Sequence, residues 1–127
     1  MDSSLKWGGL IVGGILGTLG RSLLSTSVYR WLGTAFPYGT LVVNLLGALA
    51  IGFLATLAEK KFLLTPEFRM FWMIGFLGAF TTFSSLIYES WKLIQDGQLF
   101  LAGANLMGSV ILGLMAFWLG SIAASVL

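Results

Sequence analysis

The 127-residue sequence contains no cysteine and no histidine. Thiol nucleophiles, zinc thiolate sites and disulfides are excluded, and so is the commonest proton shuttle and metal-ligating ring. Charge is nearly as scarce, at 9% of residues, where a soluble domain carries about a quarter. Too few charges are present to cover an aqueous surface. Seven Lys and Arg against five Asp and Glu leave a net charge of +2. The cations are scattered, with Lys60-Lys61 as the only adjacent pair, so nothing forms a nucleic-acid-binding patch. An enzyme is the least supported class.

Apolar sequence is abundant instead: 57% of residues are hydrophobic and 17 are glycine. A helix needs roughly 20 mostly apolar residues to cross a hydrocarbon core. Charge-free stretches at residues 7–20, 31–58, 70–88 and 97–127 therefore predict a single all-α membrane domain of four transmembrane helices, at about 5–30, 37–59, 66–95 and 97–126. The first absorbs Arg21, which places a cation inside the membrane. Only Lys6 precedes the first apolar run and no small-x-small cleavage pattern follows it, so a retained helix is expected rather than a signal peptide. Phe36-Pro37 turns the chain into the second helix. Thr65-Pro66-Glu67 opens the third with a predicted N-cap and a first-turn acid, and Gln95-Asp96-Gly97 closes it.

Glycine costs about 1 kcal/mol against alanine in a helix interior, but in a membrane it lets helices approach closely. Gly9, Gly13 and Gly17 recur every four residues, and Ala48 and Gly52, Ser109 and Gly113, and Ala116 and Gly120 repeat that small-xxx-small spacing. The end bearing the N-terminus presents Lys6, Lys60, Lys61 and Arg69, and the other presents Arg30 and Lys92, with Arg21 near it. That weak bias reads as N-terminus inside, or as a chain inserted both ways. Four helices make few walls, so a homodimer is expected, and opposite insertions would let it form antiparallel.

Polar groups at membrane depth are expensive and default to functional hypotheses. Thr81, Thr82, Ser84 and Ser85 crowd the middle of the third span behind Gly75 and Gly78, which predicts a helix broken near 78–82. Freed carbonyls there can hold a small cation and freed N–H groups an anion. Asn44 has Thr40 one turn before it; it either lines a path or makes an interhelical hydrogen bond. Asn105 and Ser109 form a second polar strip with the same alternatives. Glu89, one turn after Ser85, extends the hydroxyl strip or is simply solvated. Arg21 snorkels or supplies positive potential to a vestibule, the latter preferred. Phe76, Phe80 and Phe83 form a stripe that packs, meets lipid or offers ring edges to an anion.

These residues resemble the small fluoride channels called Fluc or CrcB over essentially the whole chain. Gly39-Thr40-Leu41-Val42-Val43-Asn44-Leu45-Leu46-Gly47 looks like the family's GTLxxNxxG, and residues 75–86 look like its GFxGGxTTFSTF. Arg21 and Gly108-Ser109 fall where the family pattern has an Arg and a Gly-Ser. The resemblance implies an antiparallel, dual-topology homodimer in the bacterial cell membrane, with two pores passing fluoride passively and rejecting chloride. It also implies a structural sodium ion held by backbone oxygens at Gly78 and Thr81 of each subunit. Asn44, Phe83, Ser84, Ser85 and Glu89 match positions along the fluoride path, and Arg21 one at the vestibule. Leu86 replaces the second pore phenylalanine, Ala79 a Gly, Ser85 a Thr, Leu101 a tyrosine and Asn105 a neighbouring Ser. The alternative is a proton-coupled multidrug exporter of the small four-helix type, which needs a carboxylate deep in the membrane. Spans one, two and four contain none.

Overall fold

The computed structural model describes residues 2–127. Seven helical elements, six α and one π, make four spans: α1 (Ser3–Leu32), α2 (Tyr38–Lys60), a composite third span (Pro66–Gln95) and α6 (Leu99–Ser125). The third span begins as one α-turn, α3 (Pro66–Phe68), runs as a π-helix over Arg69–Leu77 and returns to α-geometry in α4 (Gly78–Phe80). After two non-helical residues, α5 (Phe83–Gln95) completes it. The expected four spans and the expected break are therefore present, and the boundaries move by one or two residues.

Local chemistry accounts for those boundaries. Helix α1 starts earlier than expected because the Asp2 carboxylate accepts from the Ser4 N–H at 3.2 Å and caps it. It ends at Gly33, whose φ of 83° a residue with a Cβ rarely adopts and whose N–H reaches the Tyr29 carbonyl at 2.9 Å. Thr65 caps α3 as predicted, accepting from Phe68 N–H at 3.1 Å. Helix α6 starts at Leu99 rather than 97 because a Schellman turn intervenes. Gly97 has φ 77° and donates to Ile94 O, while Gln98 N–H donates to Leu93 O.

The spans pack as two pairs. Helix α2 lies mainly on α6, and α1 lies mainly on the π-helical segment. Glycines set both distances: a Cβ at Gly52 would strike the Phe117 carbonyl, one at Gly120 the Leu49 carbonyl, and one at Gly13 or Gly17 the Phe71 or Phe76 carbonyl. Backbone thus touches backbone, as the four-residue spacing predicted. Gly113 is different, since an added Cβ there meets nothing. Val43, Leu77 and Phe80 form the buried core, with Leu24, Ile51 and Phe76 around it. Most other large apolar side chains face outward; along α6 they include Val110, Ile111, Leu114 and Trp118. Trp7 and Trp31 stand exposed at the two ends of α1, where interfacial aromatics belong. All four spans are long and apolar enough to cross a bilayer, which makes this a multi-pass membrane protein.

Candidate functional site

The break in the third span is two residues long. Thr81 (φ −85°, ψ 156°) and Thr82 (φ −149°, ψ 117°) are extended, so the carbonyls before them lose their donors one turn on. Side chains fasten the two half-helices on either side of it. Thr81 ties itself back to the first half, its N–H and its hydroxyl both donating to Leu77 O at 3.1 Å. Thr82 caps the second half, its hydroxyl oxygen accepting from Ser85 N–H at 3.3 Å. The Thr82 hydroxyl also donates to Ser85 Oγ at 3.1 Å and lies 3.5 Å from Ser84 Oγ.

Asn44 on α2 closes the break from one side. Its Nδ2 donates to Thr82 O at 3.0 Å and its Oδ1 accepts from Thr82 N–H at 2.8 Å, a two-point match between an amide and a strand-like backbone. One N–H of the amide remains for something else. One turn further along α2, a Cβ at Gly47 would run into the Thr81 methyl, so glycine admits that threonine. One turn the other way, Thr40 donates to Glu89 Oε1 at 2.7 Å. The i, i+4 row Thr40, Asn44, Ala48 thus faces the broken span along its length. From α1, Arg21 Nε donates to Ala79 O at 3.1 Å.

Two concavities flank this seam. A groove of about 420 Å³ is lined by Asn44, Thr81, Thr82, Phe83, Leu86 and Ser109, among others, and by no charged side chain. Nearer one end of the bundle, a pocket of about 590 Å³ is lined by Tyr29, Pro37, Glu89, Lys92 and Asp96, among others. Glu89 Oε2 and Ser109 Oγ are buried without a hydrogen-bond partner among the described residues. Buried polar atoms normally find partners, so both concavities have hydrogen-bonding capacity to spare.

The structure gathers Thr40, Asn44, Thr81, Thr82, Ser85 and Glu89 along one seam, with Gly78, Phe83 and Ser109 on the groove beside it. Ser84 is exposed at the start of α5. Arg21 is half-buried and lines neither concavity. The expected Asn105–Ser109 strip divides. Asn105 is 1% exposed and donates to Ser90 Oγ at 2.9 Å, sealing α5 against α6, whereas Ser109 faces the groove. The aromatic stripe divides too: Phe76 and Phe80 stack at 5.7 Å, and the extended residues carry Phe83 out to 74% exposure. Ser90 and the buried Thr56–Ser121 contact of 2.6 Å were missed by sequence reasoning. Single hydroxyls in apolar helices carry no distinguishing pattern, although Ser90 directly follows Glu89.

Comparison with known proteins identifies relatives over most of the chain. The family described as "CrcB-like protein, Camphor Resistance (CrcB)" matches residues 9–121. A fluoride-specific ion channel FluC from Geotalea uraniireducens is 45% identical over 118 residues, 93% of this chain and 95% of that protein. One of the same name from Hydrogenovibrio crunogenus is 47% identical over 108 residues, 85% of this chain and 82% of that protein. Another from Opitutus terrae is 48% identical over 117 residues, 91% of this chain and 89% of that protein. The matched residues run from the glycine-rich face of α1 to Ser121 near the end of α6 and include the whole broken span, so this chain belongs to the CrcB family.

Proposed function

We propose that the protein is a fluoride-selective channel that lets fluoride leave the cell down its own gradient. The observation that carries this reading is the seam along α2. There the second N–H of Asn44 and the hydroxyls of Ser84 and Ser85 remain as neutral donors beside a groove without fixed charge, while Thr40 and Thr82 spend their hydroxyl protons on Glu89 and Ser85. Fluoride is compact and strongly hydrated, so its water must be replaced by dense hydrogen-bond donors. Neutral donors replace that water without trapping the ion, and repeated weak sites permit exit. The names of the relatives support the choice of anion.

The groove is open on one side, and Phe83, Ser84 and Gly78 are exposed beside it. A second copy inserted in the opposite sense would cover it, giving an antiparallel dimer with two pores, each lined by both subunits. A structural sodium ion fits the centre. The break frees the Gly78 and Thr81 carbonyls from helical bonding, and nothing lies within 4 Å of where a Gly78 Cβ would be. Hard cations take oxygen ligands, and two copies would supply four. Phe83 would offer a ring edge to the passing ion, with aliphatic Leu86 beside it.

The deciding measurement is efflux from liposomes carrying the purified protein. Fluoride release with little chloride release is expected, and the absence of fluoride flux would sink the channel reading. Exchanging sodium for a large organic cation is expected to lower the melting temperature of the dimer; an unchanged value would remove sodium from the structure.

A further inference from the structure

The geometry points to Arg21 as a positioning residue: it caps the inner end of the first half of the third span and so holds the break in shape. Three observations converge on this. The Ala79 carbonyl would accept from the Phe83 N–H in an unbroken helix, and the extended Thr81 and Thr82 remove that donor. Arg21 Nε replaces it at 3.1 Å. The approach is built into the backbone as well: on the same stretch of α1, a Cβ at Gly17 would strike the Phe76 carbonyl and one at Gly20 would lie 3.7 Å from the Phe80 ring. Gly17 thus lets α1 press on the third span one turn before the arginine, close to Phe76 O and the Ala79 methyl.

A cation at this depth is costly unless it is partnered. The negative end of a half-helix that stops inside the membrane provides that partner, because the last carbonyls carry the negative pole of the helix dipole. Arg21 lines neither the groove nor the end pocket; its side-chain hydrogen bond goes to the Ala79 carbonyl. Together with Asn44, which holds Thr82 from α2, it brackets residues 79–82 between two continuous helices.

Side-chain length allows a sharp test. The Nε2 of glutamine sits the same number of bonds from Cα as the Nε of arginine, so Arg21→Gln keeps the donor and removes the charge. Arg21→Met removes both, and Arg21→Lys keeps the charge while putting a methylene at the donor position. Two readouts are needed because only the first rests on the channel reading: fluoride efflux from liposomes, and hydrogen exchange of residues 78–90, where the Thr82 N–H held by Asn44 reports the break directly.

Arg21→Met is expected to lose about tenfold in both flux and protection, as removal of a half-buried charge-assisted bond implies. Arg21→Gln is expected to stay within about threefold of the parent in both readouts, and Arg21→Lys to fall below Arg21→Gln. Exchange in the α2–α6 contact should not change in any variant. The proposal is overturned if Arg21→Lys matches the parent while Arg21→Gln behaves like Arg21→Met, or if the Met variant's flux loss disappears at high salt. Either outcome would make the charge, and not the cap, the working part. If the parent protein shows no fluoride flux, the functional reading fails and the exchange data still decide the role of Arg21.

Discussion

Asn44 has two hydrogen bonds to lose, and both hold the same residue. Replacing it by aspartate removes the donor to Thr82 O and sets a carboxylate against that carbonyl. The cost is about 1–3 kcal/mol at the break, as for a buried group left without its partner, and an anion passing along the seam meets a like charge. Asn44→Asp is therefore expected to reduce fluoride efflux by about a hundredfold or more, since each 1.4 kcal/mol on the barrier is worth a factor of ten; a fully active Asp variant would remove Asn44 from the pathway. Asn44 could be recognised in the sequence as a polar residue too costly to be idle, but whether it lined a path or bonded to a neighbouring helix was open. It does bond to a neighbouring span, and one N–H is left over at the groove. Asn105 was equally visible and has the other fate, buried against Ser90. The difference lies in which way each helix is rotated, and a mostly apolar helix such as α6 has too little amphipathic contrast to encode its rotation.

At the scale of elements, glycine spacing and the Thr-Thr cluster were the informative signals, and the π-helix was silent. The sequence over Arg69–Leu77 reads as an ordinary apolar helix. The wide turns lie against α1, whose Gly13 and Gly17 face the carbonyls of Phe71 and Phe76. Those carbonyls are one wide turn apart. Such segments are rare and gather at functional sites, and only the three residues of α4 separate this one from the break. Gly13→Ala is expected to destabilise the fold by about 1–3 kcal/mol because the new methyl would overlap a backbone oxygen that cannot rotate away. Gly8→Ala, on the same helix with nothing within 4 Å, is expected to be neutral or stabilising by up to about 1 kcal/mol. Thermal unfolding of the two variants in one detergent provides the comparison, and equal melting temperatures would show that the α1 contact does not set the stability of this pair of spans.

At the scale of the whole molecule, the open groove and the outward apolar faces leave the fold dependent on its surroundings. Insertion in both orientations requires that the two ends of the bundle be nearly equivalent to the insertion machinery. The structure bears on that balance. Arg69, counted on the side of the N-terminus, donates to Ala58 O at 3.3 Å and so caps the end of α2. Lys60 and Lys61 remain near the end of α2, opposed by Glu59 and Glu67 close by in the sequence, while Arg30 and Lys92 mark the other end. Positive-inside bias counts Lys and Arg near span ends, and insertion in both orientations would need a margin as small as this one. The chain has no cysteine of its own, so a single engineered thiol reports topology without interference. Thr34→Cys and Leu63→Cys lie in exposed loops at opposite ends of the bundle. With a membrane-impermeant maleimide applied to intact cells, each is expected to label in about half of the chains, as equal insertion by a weak charge bias requires. Complete labelling of one and none of the other would establish a single orientation, and the two copies could then not be related by a two-fold axis in the membrane plane.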